Sequence, residues 1–297
     1  MRVVISGASG LIGTALRKEL AGGAAEPVSL VRRQPRSGEM QWNPPEPLDP
    51  RRLTGFDAVV HLAGKKIAGR WTEKFKRETY DSRVQTARAL ARAAAESFRQ
   101  SGKPQVFVSA SAIGYYGDRG DELLREQSPA GKASFTSELA QGWEAATTPA
   151  SEAGLRVANL RFGVVLAANG GALEKMLPPF RLGLGGRIGH GRQYISWISI
   201  DDVVGAILFV LRGNLRGPVN VVAPNPVRNA ELTRALGRVL HRPTIFPVPA
   251  TMVRLLFGQM GDELLLASQK VEPAKLKAAG YLFRHADIED ALRAVLR

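Results

Sequence analysis

The segment Ser109-Ala110-Ser111-Ala112-Ile113-Gly114-Tyr115-Tyr116-Gly117 follows directly on the apolar run Val106-Phe107-Val108. Serine hydroxyls and phenols at the end of a strand are proton-transfer groups, so Ser111, Tyr115 and Tyr116 are the candidate catalytic residues. A tyrosine ionises near ~10 and serves at neutral pH only where a nearby cation lowers that value. Arg119 is close in sequence. Other chemistries are poorly supplied. No Gly-x-Ser-x-Gly elbow occurs. The histidines His61, His190, His241 and His285 are far apart and lack metal-site spacing, so no metal is expected. His61, inside an apolar strand, reads as a hydrogen-bonded core residue, and His190, in a glycine-rich loop, as a weak site candidate. The absence of cysteine excludes disulfides, thiolate metal sites and cysteine nucleophiles.

The elements that must position these groups follow from periodicity. Arg2–Ser6 reads as a buried strand and Leu11–Leu20 as a helix with Ile12, Ala15, Leu16 and Leu20 on one face. Val28–Val31 and Ala58–Ala63 read as further strands, separated by a proline-rich irregular excursion over 34–55. A long helix is predicted from Thr72, its N-cap, to Arg99, with Phe75, Tyr80, Val84, Ala87, Ala91 and Ala94 as its apolar stripe. The strand Val106–Val108, a helix near Ser134–Ala153 and the strand Val157–Leu160 continue the alternation. Strand and helix in turn imply a parallel sheet covered on both faces with right-handed crossovers. The second half is mixed: a glycine-crowded loop, helices at Val203–Leu211, Asn229–Leu240, Thr251–Leu256 and Ile288–Leu296, and a strand at Val219–Val222. Asp201 and Asp202 precede a helix and read as N-capping residues. The fold class is α/β: a Rossmann-type doubly wound parallel sheet over 1–163, joined again by 199–223, with a smaller mixed C-terminal substrate lobe over 164–297. The substrate cleft is expected outside the carboxyl ends of the strands, with the loop 183–196 as its mobile lid.

Between the first strand and the first helix stands Gly7-Ala8-Ser9-Gly10-Leu11-Ile12-Gly13. Gly7 permits a tight turn, Gly10 lets backbone approach a pyrophosphate, and Gly13 lets helix and strand pack closely. The helix start then offers free N–H groups to the anion. Position between strand and helix is the context that gives a glycine triplet meaning. Gly7, Ser9, Gly10, Leu11, Ile12 and Gly13 are therefore cofactor-binding candidates. No acidic residue ends the second strand to accept a ribose hydroxyl; Arg32 and Arg33 stand there instead. Guanidinium groups suit a 2′-phosphate, which favours NADP, the other reading being two surface arginines.

With Asp57-Ala58-Val59-Val60-His61-Leu62-Ala63-Gly64, Ser109-Ala110-Ser111 and Tyr115-Tyr116-Gly117, this loop resembles the short-chain dehydrogenase/reductase superfamily, in its extended and atypical branch. The stretch PPFRLGLGGRIGHGRQYISWISIDD (178–202) narrows the resemblance to an epimerase-like family of unknown substrate, whose members are sometimes labelled cell-division inhibitors. The resemblance covers nearly the whole chain. It implies that the nicotinamide side of the cofactor runs past Leu62, Ala63 and Gly64, and that Glu78, Arg83, Ser109 and Val165 contact the cofactor. Ser111 matches the superfamily's serine, with Ser109 as a competing alignment. For Glu78 and Arg83 a solvated helix face is the alternative. The superfamily's acid/base is a tyrosine with a lysine four residues later. In the corresponding stretch, SFTSELAQGWE (134–144), Phe135 and Leu139 stand in those places, and no tyrosine of the chain has a lysine four residues on. A phenyl ring moves no proton. Either Tyr115 or Tyr116 substitutes as the acid, or these groups shape an NADP site with weak, altered or no redox turnover. The family usually carries histidine where Ser199 stands, which leaves that imidazole's role unfilled.

The chain has 297 residues, enough for one large domain or two intimate ones. A net charge of +14 raises nucleic-acid binding, but the arginines are scattered and few aromatics accompany them. A solvated surface that favours anionic ligands is the better reading. No run reaches the length of a membrane span, and the opening residues do not read as a signal peptide. The expected protein is thus cytoplasmic. It acts on a small polar, nucleotide- or sugar-like substrate as an NADP-dependent reductase or epimerase, or it is a catalytically degenerate sensor or interaction module. No nucleic-acid or membrane partner is expected. Relatives of this architecture suggest a homodimer through the long helices.

Overall fold

The computed structural model describes every residue except Ala24. Seven parallel strands form the central sheet: β1 (Arg2–Ser6), β2 (Glu26–Val31), β3 (Glu39–Gln41), β4 (Ala58–His61), β5 (Val106–Ala112), β7 (Arg156–Phe162) and β11 (Gly217–Val221). Their order is β11-β7-β5-β4-β1-β2-β3. The order reverses between β1 and β4, which opens a crevice at the carboxyl ends of those strands. The strands read as continuous Val, Ile, Leu and Ala runs because both faces are covered. Val3, Val4, Ile5, Val59, Val60, Phe107 and Val108 are fully buried.

Around the sheet lie α1 (Leu11–Ala21), α2 (Glu73–Ser101), α3 (Phe135–Ala145), α4 (Thr148–Glu152) and α6 (Ile200–Arg212). Thr72 caps α2 as expected, accepting from the Phe75 amide at 3.2 Å. Val84, Ala87, Ala91 and Ala94 face the core, while Phe75 and Tyr80 at the helix start are half-buried. The single helix expected over Ser134–Ala153 is two. Thr147 turns its hydroxyl and amide back onto the Glu144 carbonyl, and Pro149 has no amide to continue the ladder, so the chain restarts as α4. The proline-rich excursion carries an edge strand, β3, that the sequence pattern hides.

The rest of the second half forms a lobe from α5 (Gly171–Arg181), α7 (Asn229–Leu240), α8 (Ala250–Phe257), α9 (Gln259–Gly261), α10 (Ala274–Ala278) and α11 (Ile288–Leu296). Short two-strand pairs stitch it together. β8 (Val164–Ala167) pairs with β10 (Trp197–Ser199), β9 (Tyr194–Ile195) with β12 (Val227–Arg228), and β6 (Leu123–Leu124) with β13 (Lys270–Val271). Two expectations change here. The N-cap of α6 is Ser199, whose hydroxyl accepts from the Asp202 amide. Asp202 is buried and its carboxylate holds the C-terminal segment, accepting from the Arg284 and His285 amides at 2.8 and 2.9 Å. The loop 183–196 is anchored rather than free. The Ile188 amide donates to Asn229, the Gly189 amide to Val248, and Gln193, 1% exposed, donates to the Ile188 and Leu265 carbonyls.

Candidate functional site

The glycine loop sits where β1 ends and α1 begins. Gly7 has φ +74°, a conformation glycine adopts without strain, and the Gly10 amide closes the turn onto its carbonyl at 3.0 Å. A Cβ at Gly7 would stand 2.6 Å from the Ala63 amide nitrogen, so loop and β4 extension lie backbone to backbone. A Cβ at Gly13 would stand 2.2 Å from the Gly7 carbonyl oxygen. At Gly10 it would meet only that same oxygen, at 3.3 Å, so this edge of the loop is open. Ser9 and Gly10 are exposed and Leu11 and Ile12 half-buried. No side chain caps α1 and no acid stands in its first turn. The result is an open cradle of amide donors, which fits a pyrophosphate. Leu11 closes one side against the turn after β8, where a Cβ on Gly170 would come within 2.9 Å of it. Val165, in β8, is half-buried beside that turn.

Beyond β2 the two arginines part company. Arg33 is clamped by Glu39 of β3 through two hydrogen bonds of 2.8 and 2.6 Å. That pairing raises the Arg33 pKa and lowers that of Glu39. Arg32 is exposed and, among the described residues, its guanidinium has no carboxylate partner. Of the pair, only Arg32 has a free fork for a phosphate.

Leu62, Ala63 and Gly64 extend β4 beside the glycine loop. Arg83 of α2 lies against them: a Cβ on Gly64 would be 3.1 Å from its Cγ and Cζ. Its guanidinium donates to the Thr79 carbonyl at 3.2 Å and lies 5.2 Å from the Trp143 ring. Burial lowers its pKa to about 10, and no carboxylate meets it among the described residues. A partly buried cation with no carboxylate beside it carries a desolvation cost that a nearby anion would offset. Glu78, one turn earlier, is exposed and pairs with Lys65.

His61 is the core residue the sequence implied. Its Nδ1 lies 2.6 Å from the Ser6 hydroxyl and its Nε2 3.4 Å from that of Thr86. Burial lowers its pKa to about 4. The unfolded chain takes up this proton near ~6.5 and the folded chain only near pH 4, so stability is full above the first value and falls as pH drops toward the second. That share is on the order of 3 kcal/mol. Urea unfolding at pH 7 and pH 4.5 is expected to show a smaller acid loss in His61→Gln than in the parent; equal losses would show that His61 is not the source.

Across the sheet, strand register sets Ser111 of β5 beside Arg161 of β7, and Arg161 beside Asn220 of β11. Arg161, 2% exposed, forms a two-pronged ion pair with Glu144 of α3 at 2.7 and 2.8 Å. Ser111 donates to the same carboxylate at 2.8 Å. Tyr116 is fully buried, accepts from Arg161 at 2.9 Å and donates to Asn220 at 2.7 Å. Burial, the largest effect, pushes its pKa up to about 12 despite Arg161. Tyr116 is thus a neutral phenol with both hydrogen bonds used. The Ser109 hydroxyl, also buried, turns to the Ala110 carbonyl. Tyr115 differs. It is half-buried, its ring lies 3.4 Å from the Arg161 guanidinium carbon, and no hydrogen bond engages its hydroxyl among the described residues. Arg119 pairs with Glu122, so the cation beside the tyrosines is Arg161. An arginine inside the buried strand Ala158-Asn159-Leu160-Arg161-Phe162 is the sequence signal for this network; nothing in the sequence marks Glu144 as its partner.

Phe135 opens α3 at the seam between the sheet and the C-terminal lobe. Its amide and that of Thr136 donate to Glu263 at 3.0 and 2.8 Å. Its ring meets Trp71 edge-on at 5.0 Å between centroids. Leu139, one turn on, is 4% exposed. His190 accepts from the Arg192 amide on the far loop and joins none of these groups among the described residues. No cluster of three or more metal-ligating side chains occurs among the described residues. No helix among them is long and apolar enough to cross a membrane.

A parallel sheet of this order, with a glycine loop at the strand-order reversal, defines an α/β protein of Rossmann type. Residues 3–222 match the NAD dependent epimerase/dehydratase family, and the chain belongs to that family. Residues 248–295 match a domain of unknown function, DUF1731. The chain is 44% identical to an epimerase family protein of Mycobacterium bovis, over 98% of this chain and 96% of that one. The fold is similar to the crystal structure of the human epimerase family protein SDR39U1 with NADPH, at a TM-score of 0.89 and 35% identity over 99% of both chains. It is also similar to a nucleoside-diphosphate sugar epimerase from Corynebacterium glutamicum, at 0.81 and 39% identity, covering 100% of this chain and 58% of that one.

Proposed function

We propose that this protein binds NADP(H) across the β1–β4 crevice and exchanges hydride with a small substrate in the cleft beyond Leu62–Gly64, without a tyrosine–lysine acid. The observation that carries the cofactor assignment is the open amide cradle at Gly10 with the unpaired Arg32 guanidinium past β2. Gly7, Ser9, Gly10, Leu11, Ile12 and Gly13 hold the pyrophosphate. Arg32 takes the 2′-phosphate, and Leu62, Ala63, Gly64 and Val165 line the path of the nicotinamide. The structure of the human relative with NADPH supports the choice of dinucleotide. The bound cofactor supplies a two-electron hydride. Arg83 offsets anionic charge beside Gly64, and Arg161 and Glu144 hold the Tyr115 ring in place. Tyr115 is the one residue of Ser109, Ser111, Tyr115 and Tyr116 with its hydroxyl free, so it alone of these is placed to give a proton.

Arg32→Ala is expected to weaken NADPH binding about tenfold, the worth of one charge-assisted contact, and to leave NADH unchanged. Arg33→Ala is expected to change NADPH binding less than about threefold, because Glu39 already holds that guanidinium. Equal effects of the two would remove the assignment to Arg32. A second reading, a cofactor-responsive binding protein without turnover, draws support from the engagement of Ser111 and Tyr116 inside a buried network. Transfer of deuterium from labelled NADPH to any acceptor would exclude it.

A further inference from the structure

We propose that the C-terminal lobe docks on the surface of an anionic lipid bilayer, through a trough of arginines beside α7 and the exposed apolar residues of the two segments that border it. The proposal goes beyond the cofactor reading and does not depend on it.

The first observation concerns charge. Arg234 and Arg238 stand one turn apart on α7, and His241 follows at the helix end, so the three share one stripe. Together with Arg242 and with Arg293 of α11 they line one open trough. A second hollow shares Arg234 and Thr244 with the first and adds Arg187 and Ile245. All five arginines are exposed. Glu289 pairs with Arg238 and Arg293, and it is the one carboxylate paired with this group among the described residues. Arg242 donates only to the Arg181 and His241 carbonyls. The Arg187 and Arg234 guanidiniums have no partner among the described residues. Five arginines against one carboxylate make a surface that collects anions.

The second observation concerns what borders the trough. The Phe246 amide donates to the Gly185 carbonyl at 3.3 Å and the Val248 amide to that of Arg187 at 2.9 Å. A Cβ on Gly186 would stand 1.9 Å from the Phe246 carbonyl oxygen, so residues 183–189 and 243–248 run backbone to backbone. These paired segments and the residue before them expose Leu182, Leu184, Ile245 and Phe246, at 74%, 55%, 70% and 50%. Ile245 lines the same hollow as Arg187 and Arg234, so apolar and cationic groups meet there. A nucleic acid asks for charge and stacking rings and gains nothing from exposed leucine and isoleucine. An anionic bilayer uses both: its headgroups meet the guanidiniums, and its headgroup–acyl boundary takes the aliphatic side chains. No helix among the described residues is long and apolar enough to cross a membrane, and a seat on the surface needs none.

Sedimentation of the intact protein with lipid vesicles tests this. Phosphatidylcholine vesicles carrying ~30% phosphatidylserine are expected to bind it saturably, and pure phosphatidylcholine vesicles at least about tenfold more weakly. A basic group near such a surface is worth about fivefold in affinity, so Arg187→Gln with Arg234→Gln should weaken binding about 25-fold. Arg234→Gln alone, on an exposed helix face, should cost about fivefold. Ile245→Ser with Phe246→Ser should weaken binding about tenfold and leave its salt dependence unchanged. Unfolding by urea at the parent midpoint reports that each variant is intact. The proposal is overturned if the two vesicle types bind equally, or if either double variant binds phosphatidylserine vesicles within about twofold of the parent. It is overturned as well if duplex DNA or polyglutamate, at equal charge concentration, displaces the protein from the vesicles, since the trough would then be a site for any polyanion.

Discussion

Gly10→Leu is expected to weaken NADPH binding by about 100-fold or more, close to 2.7 kcal/mol, while leaving the fold nearly as stable as before. Residue 10 has φ −77°, which any side chain tolerates, and a Cβ there touches a single carbonyl oxygen at 3.3 Å. The new side chain would project into the amide cradle instead of into the protein. Loss of a glycine N-cap costs the helix about 1 kcal/mol at most. Gly13→Ala is the contrasting case. Its Cβ would meet the Gly7 oxygen at 2.2 Å and the Ala8 Cα at 2.7 Å, all backbone. Strand and helix must separate, so a stability loss of about 3 kcal/mol accompanies loss of binding. Isothermal titration with NADPH beside urea unfolding separates the two. Binding within about threefold of the parent in Gly10→Leu would move the pyrophosphate elsewhere.

Glu144→Gln is expected to cost about 3–5 kcal/mol, because it leaves the buried Arg161 guanidinium without its anion. Arg161→Met should cost somewhat less, since Glu144 is less deeply buried than Arg161 and keeps Ser111 as a donor. The double variant Glu144→Leu with Arg161→Met should be more stable than Glu144→Gln alone, the signature of a pair whose loss hurts through the charge left behind. Chemical denaturation of the three variants gives the comparison. Single losses below about 1 kcal/mol would mean that the pair is solvated and does not fix the tyrosines.

The parts legible in the sequence are those fixed by local pattern. Val3–Ile5 and Val59–His61 announce buried parallel strands. Thr72 and the alanine stripe announce α2, and Gly7, Gly10 and Gly13 announce the turn between β1 and α1. Parts that depend on pairing across distance stayed hidden. Nothing near Arg33 shows that Glu39 will arrive beside it on an edge strand, although the two are six residues apart. Asp202 looks like a helix cap because capping is a local role; its bonds to Arg284 and His285 join segments far apart in sequence. The loop 183–196 looked free because glycines dominate it. Its anchors, Asn229, Val248 and Leu265, all come from later in the chain. Tyr115 and Tyr116 were indistinguishable as letters, and only strand register separates the phenol locked between Arg161 and Asn220 from the one left free.

The seat of the dinucleotide is tested most directly by equilibrium titration of the intact protein with NADPH and with NADH, followed by nicotinamide emission. Saturable binding of both, with NADPH tighter by about tenfold or more, is expected from the Gly10 cradle and the free Arg32 fork. An absence of saturation with NADPH, or a tighter complex with NADH, would contradict it.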